Sequence, residues 1–255
     1  MTQTIALAGK GGVGKTTICG MLIEYLAAKD QGAILAVDAD ANSNLNEVLG
    51  MEVSKTLGEI REEMEAEGSK SPIPAGMTKA DYADAKFAEA LSEGDDYDLL
   101  VMGRTQGKGC YCFVNGILTN QLMRYAKSYR YIVVDNEAGM EHLSRGILPA
   151  VDTVILVGDA SVRGVQACAR INELVKDLKL GAKEVKLIVN RAVGGKVGDG
   201  VMKAIEDAGM DLLAILPDNA EIREFDGEGK PTTELPADNE FRVALYKALD
   251  QLNLG

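Results

Sequence analysis

Seven short runs of aliphatic and β-branched residues punctuate the chain, at 4–8, 33–37, 99–102, 131–134, 153–157, 185–189 and 212–216. Apart from Lys186 in 185–189 each is a continuous run that does not alternate with polar positions, which is the pattern of strands covered on both faces. Stretches with apolar positions at helical spacing follow most of them, clearest at 15–28, 164–178 and 197–207. The alternation predicts an α/β fold, a single doubly wound and mostly parallel sheet. In such sheets the ligand lies beyond the carboxyl ends of the strands. Every chemically suggestive residue below falls at one of those ends.

No linker rich in Pro, Gly or Ser divides the sequence, so residues 1–255 are read as one domain. The segment 51–96 is a helical insertion in this reading. It has an acidic helical run at 57–67, a Pro/Gly break at 71–76 and a second helix at 80–91, forming either a solvated excursion or a partner-docking surface. Near the end, Phe241, Leu245, Leu249 and Leu252 give a helix one apolar face, which predicts docking on the sheet.

Composition narrows the function. The chain has 46% hydrophobic and 26% charged residues and a net charge of −12. An acidic surface repels phosphate backbones and anionic lipid, so neither nucleic acid nor membrane is an expected partner. The first residues carry no basic region and no apolar stretch of signal-peptide length, which predicts a cytoplasmic protein. Four cysteines without such a signal are expected to be reduced thiols. Cys19 and Cys168 lie in helical patterns and read as small buried hydrophobes.

Gly9-Lys10-Gly11-Gly12-Val13-Gly14-Lys15-Thr16-Thr17 follows a strand and opens a helix. Glycines at these places let the backbone turn its N–H groups onto phosphate oxygens. Lys15 is spaced to reach the β- and γ-phosphates, and the Thr16 hydroxyl to ligate Mg²⁺. The loop therefore predicts a P-loop NTPase binding ATP and ADP. Lys10 adds a second cation beside the phosphates. Strand 33–37 runs into Asp38-Ala39-Asp40, where extended backbone would set both carboxylates on one side. Asp40 suits orienting or deprotonating the attacking water, and Asp38 suits the Mg²⁺ shell. Asn42 and Asn44 in the same loop are weaker candidates. The run Tyr131-Ile132-Val133-Val134-Asp135-Asn136-Glu137-Ala138-Gly139 is a hydrophobic strand delivering an aspartate. Asp135 is expected to hold Mg²⁺ through water, and Gly139 to bring its amide to the γ-phosphate and hinge a switch loop. His142 follows closely. Asn190 can offer a base both a donor and an acceptor, with Arg191 beside it, and Pro217-Asp218 ends the last strand where it could pack on a purine ring.

Gly109-Cys110-Tyr111-Cys112 calls for a different explanation. A disulfide between residues two apart is strained, and two thiolates cannot complete a four-ligand metal site. A two-fold dimer would bring two pairs to one axis. Four thiolates suit Zn²⁺ in a tetrahedron or Ni²⁺ in a square plane. Complete four-ligand zinc sites are worth roughly 10–16 kcal/mol in small peptides, so metal would favour such a dimer.

Taken together these residues resemble known families. The loop with Lys10 is similar to the deviant Walker A ATPases, a SIMIBI/MinD-like group, and the resemblance implies that Lys10 reaches the nucleotide of a partner subunit. On that reading Lys10, Lys15 and Asp40 form the catalytic set. Asp135 stands where that class has its Walker B aspartate, and Asn190-Arg191 resembles its adenine-reading element. Tyr97-Asp98-Leu99-Leu100-Val101-Met102-Gly103-Arg104, leading to Gly109-Cys110-Tyr111-Cys112-Phe113-Val114-Asn115, resembles the nickel-insertion ATPases of carbon monoxide dehydrogenase maturation. That is the CooC type, with its relative AcsF acting on acetyl-CoA synthase; Val134–His142 is similar too. The resemblance implies a homodimer that binds Ni²⁺ or Zn²⁺ at Cys110 and Cys112. It further implies ATP-dependent nickel delivery to carbon monoxide dehydrogenase or acetyl-CoA synthase. Two alternatives are a nitrogenase-iron-protein-like reductase with a [4Fe–4S] cluster and a MinD- or ParA-like positioning ATPase. The first normally places its two cysteines on separate elements, and here both share one tripeptide. The second, in its membrane form, wants a basic amphipathic tail, and the tail here has mixed charge.

Overall fold

A computed structural model describes residues 2–40, 44–68, 74, 76–103, 123–124, 126–136, 151–177, 181–252 and 254. The strands are β1 (Gln3–Gly9), β2 (Ile34–Ala39), β3 (Leu91–Ser92), β4 (Asp98–Val101), β5 (Tyr131–Asn136), β6 (Thr153–Asp159), β7 (Glu184–Ala192) and β8 (Leu212–Pro217). They form one eight-stranded sheet in the order β3-β4-β2-β5-β1-β6-β7-β8. All pairings are parallel except β3 with β4. The helices are α1 (Lys15–Ala28), α2 (Leu45–Leu49), α3 (Leu57–Gly68), α4 (Lys79–Ala90), α5 (Val162–Asp177), α6 (Asp199–Asp207), α7 (Ala220–Glu228) and α8 (Glu240–Leu249).

The apolar runs are explained by the two layers that clothe the sheet. On β1, Ile5 and Leu7 face α1 and α8 in a core with Ile18, Leu22, Phe241 and Leu245. Ala6 and Ala8 face the opposite core, with Phe87, Val165 and Val201. A strand buried on both sides is apolar along most of its length, and a buried polar residue in it needs a hydrogen-bond partner. The seven expected strands are all present. The C-terminal apolar face is docked, with Phe241, Leu245 and Leu249 buried.

Two features depart from the sequence reading or extend it. The second helix of the 51–96 segment stops at Ala90, because Leu91 takes extended geometry (φ −83°, ψ 119°) and joins Ser92 as an antiparallel edge strand on β4. A two-residue strand carries too little pattern to show in sequence. The segment is also structural on its inner side: Leu57, Ile60, Phe87 and Ala90 are buried in the second core. Burying Phe87 and Ile60 stabilises the layer by about 1.5–3 kcal/mol each. Its outer side carries an ion network of Lys55 and Lys86 with Glu63 and Glu89. Cys19 and Cys168 are buried, and burial pushes both thiols up, Cys168 to about 12.

Candidate nucleotide-binding site

The site begins where β1 ends at the centre of the sheet. Gly9 passes so close to β6 that a Cβ there would lie 2.1 Å from the Val157 carbonyl oxygen. The chain then turns through Gly12 (φ +76°) and Gly14 (φ +90°) before α1 starts at Lys15. At Gly14 the constraint is double, since a Cβ would also meet Asn190 Nδ2 at 2.6 Å. The free amides of the first helical turn and the positive end of the helix dipole therefore face a cleft of about 420 Å³. Gly11, Gly12, Gly14, Lys15, Thr16 and Thr17 line it. Lys15 is buried and its Nζ donates to the Lys10 carbonyl at 3.2 Å, while Lys10 itself is exposed. Val13 is buried and its carbonyl accepts from Asn190 Nδ2 at 2.8 Å.

The acidic residues divide their work. Asp135 stands beside Asp38 across the β2–β5 pairing and beside Leu7 across β1–β5. Its Oδ2 accepts from Thr16 Oγ1 at 2.6 Å, and its buried Oδ1 has no hydrogen-bond partner among the described residues. Burial raises the Asp135 carboxyl to about 7, against the lowering effect of Thr16. Asp38 is fully buried, and its two oxygens accept from the Asp40 and Leu45 amides, each at 3.0 Å. Burial raises it to about 6. Asp40, two residues on, lines the cleft with Asn44 and Glu47. Thus the i, i+2 pair does not act as one unit: Asp38 braces the turn that presents Asp40.

A divalent cation fits this corner. Thr16 Oγ1 and the orphaned Asp135 Oδ1 form an oxygen donor set of the kind Mg²⁺ takes, next to the lysine and amides that suit phosphate.

On the far side, Asn190 donates to the Val13 carbonyl, which ties β7 to the phosphate loop, while its Oδ1 accepts from the neighbouring Arg191 amide at 2.8 Å. Arg191 adopts φ +57° and lines the cleft. An adjoining pocket continues from Gly14 and Thr17 to Pro217, Asp218, Ile222 and Arg223. The sequence reading missed Phe225, Asp226, Gly229 and Lys230, which also line the cleft. They come from α7 and its exit, where Gly229 (φ +65°) ends the helix and Lys230 lies over the Phe225 ring at 5.6 Å. No motif marks them; the glycine that ends the helix is the one local signal. Asn136 was missed as well: it is buried and donates to the Leu7 carbonyl at 2.9 Å. Cys110, Cys112, Gly139, His142 and Asn42 lie outside the described residues.

A glycine loop feeding a helix N-terminus, a buried lysine and a paired threonine and aspartate define a P-loop nucleotide-binding protein. Comparison with known proteins makes the assignment particular. The model of the CobQ/CobB/MinD/ParA nucleotide binding domain matches residues 4–232, and the chain belongs to that family. It is 44% identical over 248 residues to an uncharacterized ATP-binding protein of Methanocaldococcus jannaschii, covering 97% of this chain and 96% of that protein. It is 32% identical over 260 residues to the carbon monoxide dehydrogenase accessory protein CooC of Rhodospirillum rubrum, covering 96% of this chain and 95% of the relative. The septum site-determining protein MinD of Pyrococcus horikoshii, solved with Mg-ADP, superposes with a TM-score of 0.69 at 21% identity, over 99% of this chain and 96% of that one. That likeness concerns the fold. The protein is an ATPase of the MinD/ParA/CooC family.

Proposed function

We propose that this ATPase is a metallochaperone that works as a homodimer and delivers nickel to a nickel–iron–sulfur enzyme, carbon monoxide dehydrogenase or acetyl-CoA synthase. The observation that carries the proposal is the Cys110-Tyr111-Cys112 tripeptide in a chain 32% identical, nearly end to end, to a carbon monoxide dehydrogenase accessory protein. In sequence the tripeptide comes after β4, and β4 ends at the nucleotide edge of the sheet, where the Met102 amide donates to the Asp38 carbonyl at 2.8 Å.

In this reading Gly11, Gly12, Val13, Gly14, Lys15, Thr16 and Thr17 wrap the phosphates of ATP, with Gly139 closing on the γ-phosphate. Thr16 and Asp135 would hold Mg²⁺, with Asp38 next to them, and the ion would neutralise phosphate charge. Asp40 orients the attacking water, and Lys15 and the partner subunit's copy of Lys10 draw charge from the transferred phosphoryl group. Asn190, Arg191, Pro217 and Asp218 bound the base end. Nickel is cargo, held by Cys110 and Cys112 from both subunits, and Zn²⁺ can occupy the same thiolates.

The test is transfer. Nickel-loaded protein is incubated anaerobically with nickel-free client enzyme, and nickel in the client is measured with ATP, without ATP and with a non-hydrolysable analogue. Delivery that requires hydrolysis supports the proposal. Equal nickel uptake under all three conditions refutes it. Iron in the purified dimer would indicate the reductase reading, and ATP-dependent sedimentation with vesicles or DNA the positioning one.

A further inference from the structure

We infer that Thr232 is a positioning residue for ATP hydrolysis: with Glu24 and Arg242 it holds helix α2, and through α2 the loop that presents Asp40. This rests on the reading that Asp40 orients the attacking water, and adds what keeps Asp40 in place.

The loop after β2 runs from Asp38 to α2, and the Asp38 carboxylate holds both of its ends. One oxygen accepts from the Asp40 amide and the other from the Leu45 amide at the head of α2. Helix α2 itself spans five residues, Leu45–Leu49. That is too short to be stable through its own hydrogen bonds, so its position is set by what it is fastened to. Asn44, Glu47 and Val48 line the nucleotide cleft together with Asp40. A shift of α2 would therefore move the cleft wall beside the residue that faces the attacking water.

The far end of α2 is fastened to Thr232. Glycine weakens a helix interior, and Gly20 inside α1 is explained by space: a Cβ there would lie 2.4 Å from Val48 Cγ1 and 3.3 Å from Thr232 Oγ1. Val48 and Thr232 are thus seated together on the helix that begins at Lys15. Thr232 is buried, and its one hydroxyl hydrogen is shared between Glu24 Oε1 at 2.5 Å and the Val48 carbonyl at 3.2 Å. Glu24, one turn beyond Gly20 in α1, pairs with Arg242 of α8. Arg242 also donates to the carbonyls of Leu235 and Thr232, at 2.5 and 3.2 Å. The ion pair is nearly buried, with side-chain exposures of 12% for Arg242 and 9% for Glu24. Such a pair is a weak source of net stability, yet removing one partner leaves the other buried without a counter-charge. Its consequence here is geometric, since it holds Thr232 against the end of α2.

Steady-state ATP hydrolysis is measured for the wild type, Thr232→Val, Thr232→Ser, Gly20→Ala, Asp40→Asn and the Asp40→Asn, Thr232→Val double variant. Ile60→Val, in the core on the other face of the sheet, serves as a destabilised control. Thr232→Val should lower kcat by about tenfold, less than a full ångström of misplacement can cost, with KM for ATP unchanged. Thr232→Ser keeps the hydroxyl and should restore kcat. Gly20→Ala should lower kcat as Thr232→Val does, although alanine is the better helix former. Ile60→Val should keep the wild-type kcat. On the slow residual hydrolysis of Asp40→Asn, adding Thr232→Val should cost nothing further, because the two act as one unit. Wild-type kcat in both Thr232→Val and Gly20→Ala, with Asp40→Asn slow, overturns the role of Thr232 and leaves that of Asp40 standing. A Thr232→Val loss that persists undiminished in the double variant, or that Thr232→Ser shares, also overturns it. Full turnover in Asp40→Asn overturns the role of Asp40 itself.

Discussion

Asp135 shows how one residue can be costly to the fold and necessary to the site. The residue is 1% exposed and one carboxyl oxygen has no partner among the described residues. Desolvation, the dominant cause, raises it to about 7 from an ordinary 3.8. A carboxyl raised by folding binds more protons in the native state than in the unfolded one. Its contribution to stability is thus full below about pH 4 and is lost as pH rises through about 7. Asp135→Asn should therefore stabilise the nucleotide-free protein at pH 8 by about 2 kcal/mol, with the gain shrinking toward pH 5, while weakening Mg-dependent nucleotide binding. Denaturant unfolding at the two pH values checks this, and a stability difference independent of pH would contradict it. At this scale the sequence was informative where chemistry needs one residue type. Gly14 must be glycine both for its φ and for the nearness of Asn190. Asp38 was less legible, since a carboxylate that braces two amides and one that faces a cation look alike until the fold shows which N–H groups surround it.

At the scale of elements, a chain of hydrogen bonds through Asp38 joins the nucleotide edge to β4, the strand that precedes the cysteines in sequence. Asp38 binds the Asp40 and Leu45 amides through its side chain and the Met102 amide through its carbonyl. Met102 in turn accepts from the Gly58 amide at 2.9 Å, at the start of α3. Gly103 then turns with φ +67°, its missing Cβ only 2.5 Å from Thr56 Oγ1. Gly103→Ala should lower stability by about 2 kcal/mol, through the left-handed backbone and the clash together. A lower midpoint of denaturation at unchanged slope would agree, and an unshifted midpoint would show that the turn tolerates a side chain. The strands and the large helices were legible because both faces of the sheet are covered, which makes whole runs apolar. The edge strand β3 and the short helix α2 were not, being too brief to show a period. Helix α7 was hidden for another reason: none of its residues is buried, so it has no full apolar stripe, and its place at the cleft comes from β8 ending beside the phosphate loop.

For the whole molecule, the net charge of −12 opposes association of two copies. Dimerisation in the proposed cycle therefore draws on ligands that bridge subunits: ATP through Lys10, and metal through Cys110 and Cys112. Two ligands that favour the same dimer are coupled, and the coupling is reciprocal. Lys10→Ala should accordingly lose ATP-driven dimerisation and turnover while Lys15 preserves binding to the monomer, as light scattering with and without ATP would show. A Lys10→Ala protein that dimerises normally with ATP would contradict the inter-subunit role. The central claim is that the paired cysteines of two chains make one metal site, and its most direct measurement is metal stoichiometry. Anaerobic protein loaded with Ni²⁺ is separated by size, and nickel is counted in the dimer for the wild type and for the Cys110→Ser, Cys112→Ser double variant. The account predicts one nickel per two chains in the wild-type dimer and none in the double variant, with ATP binding retained. Nickel bound to the double variant at the wild-type ratio would contradict it.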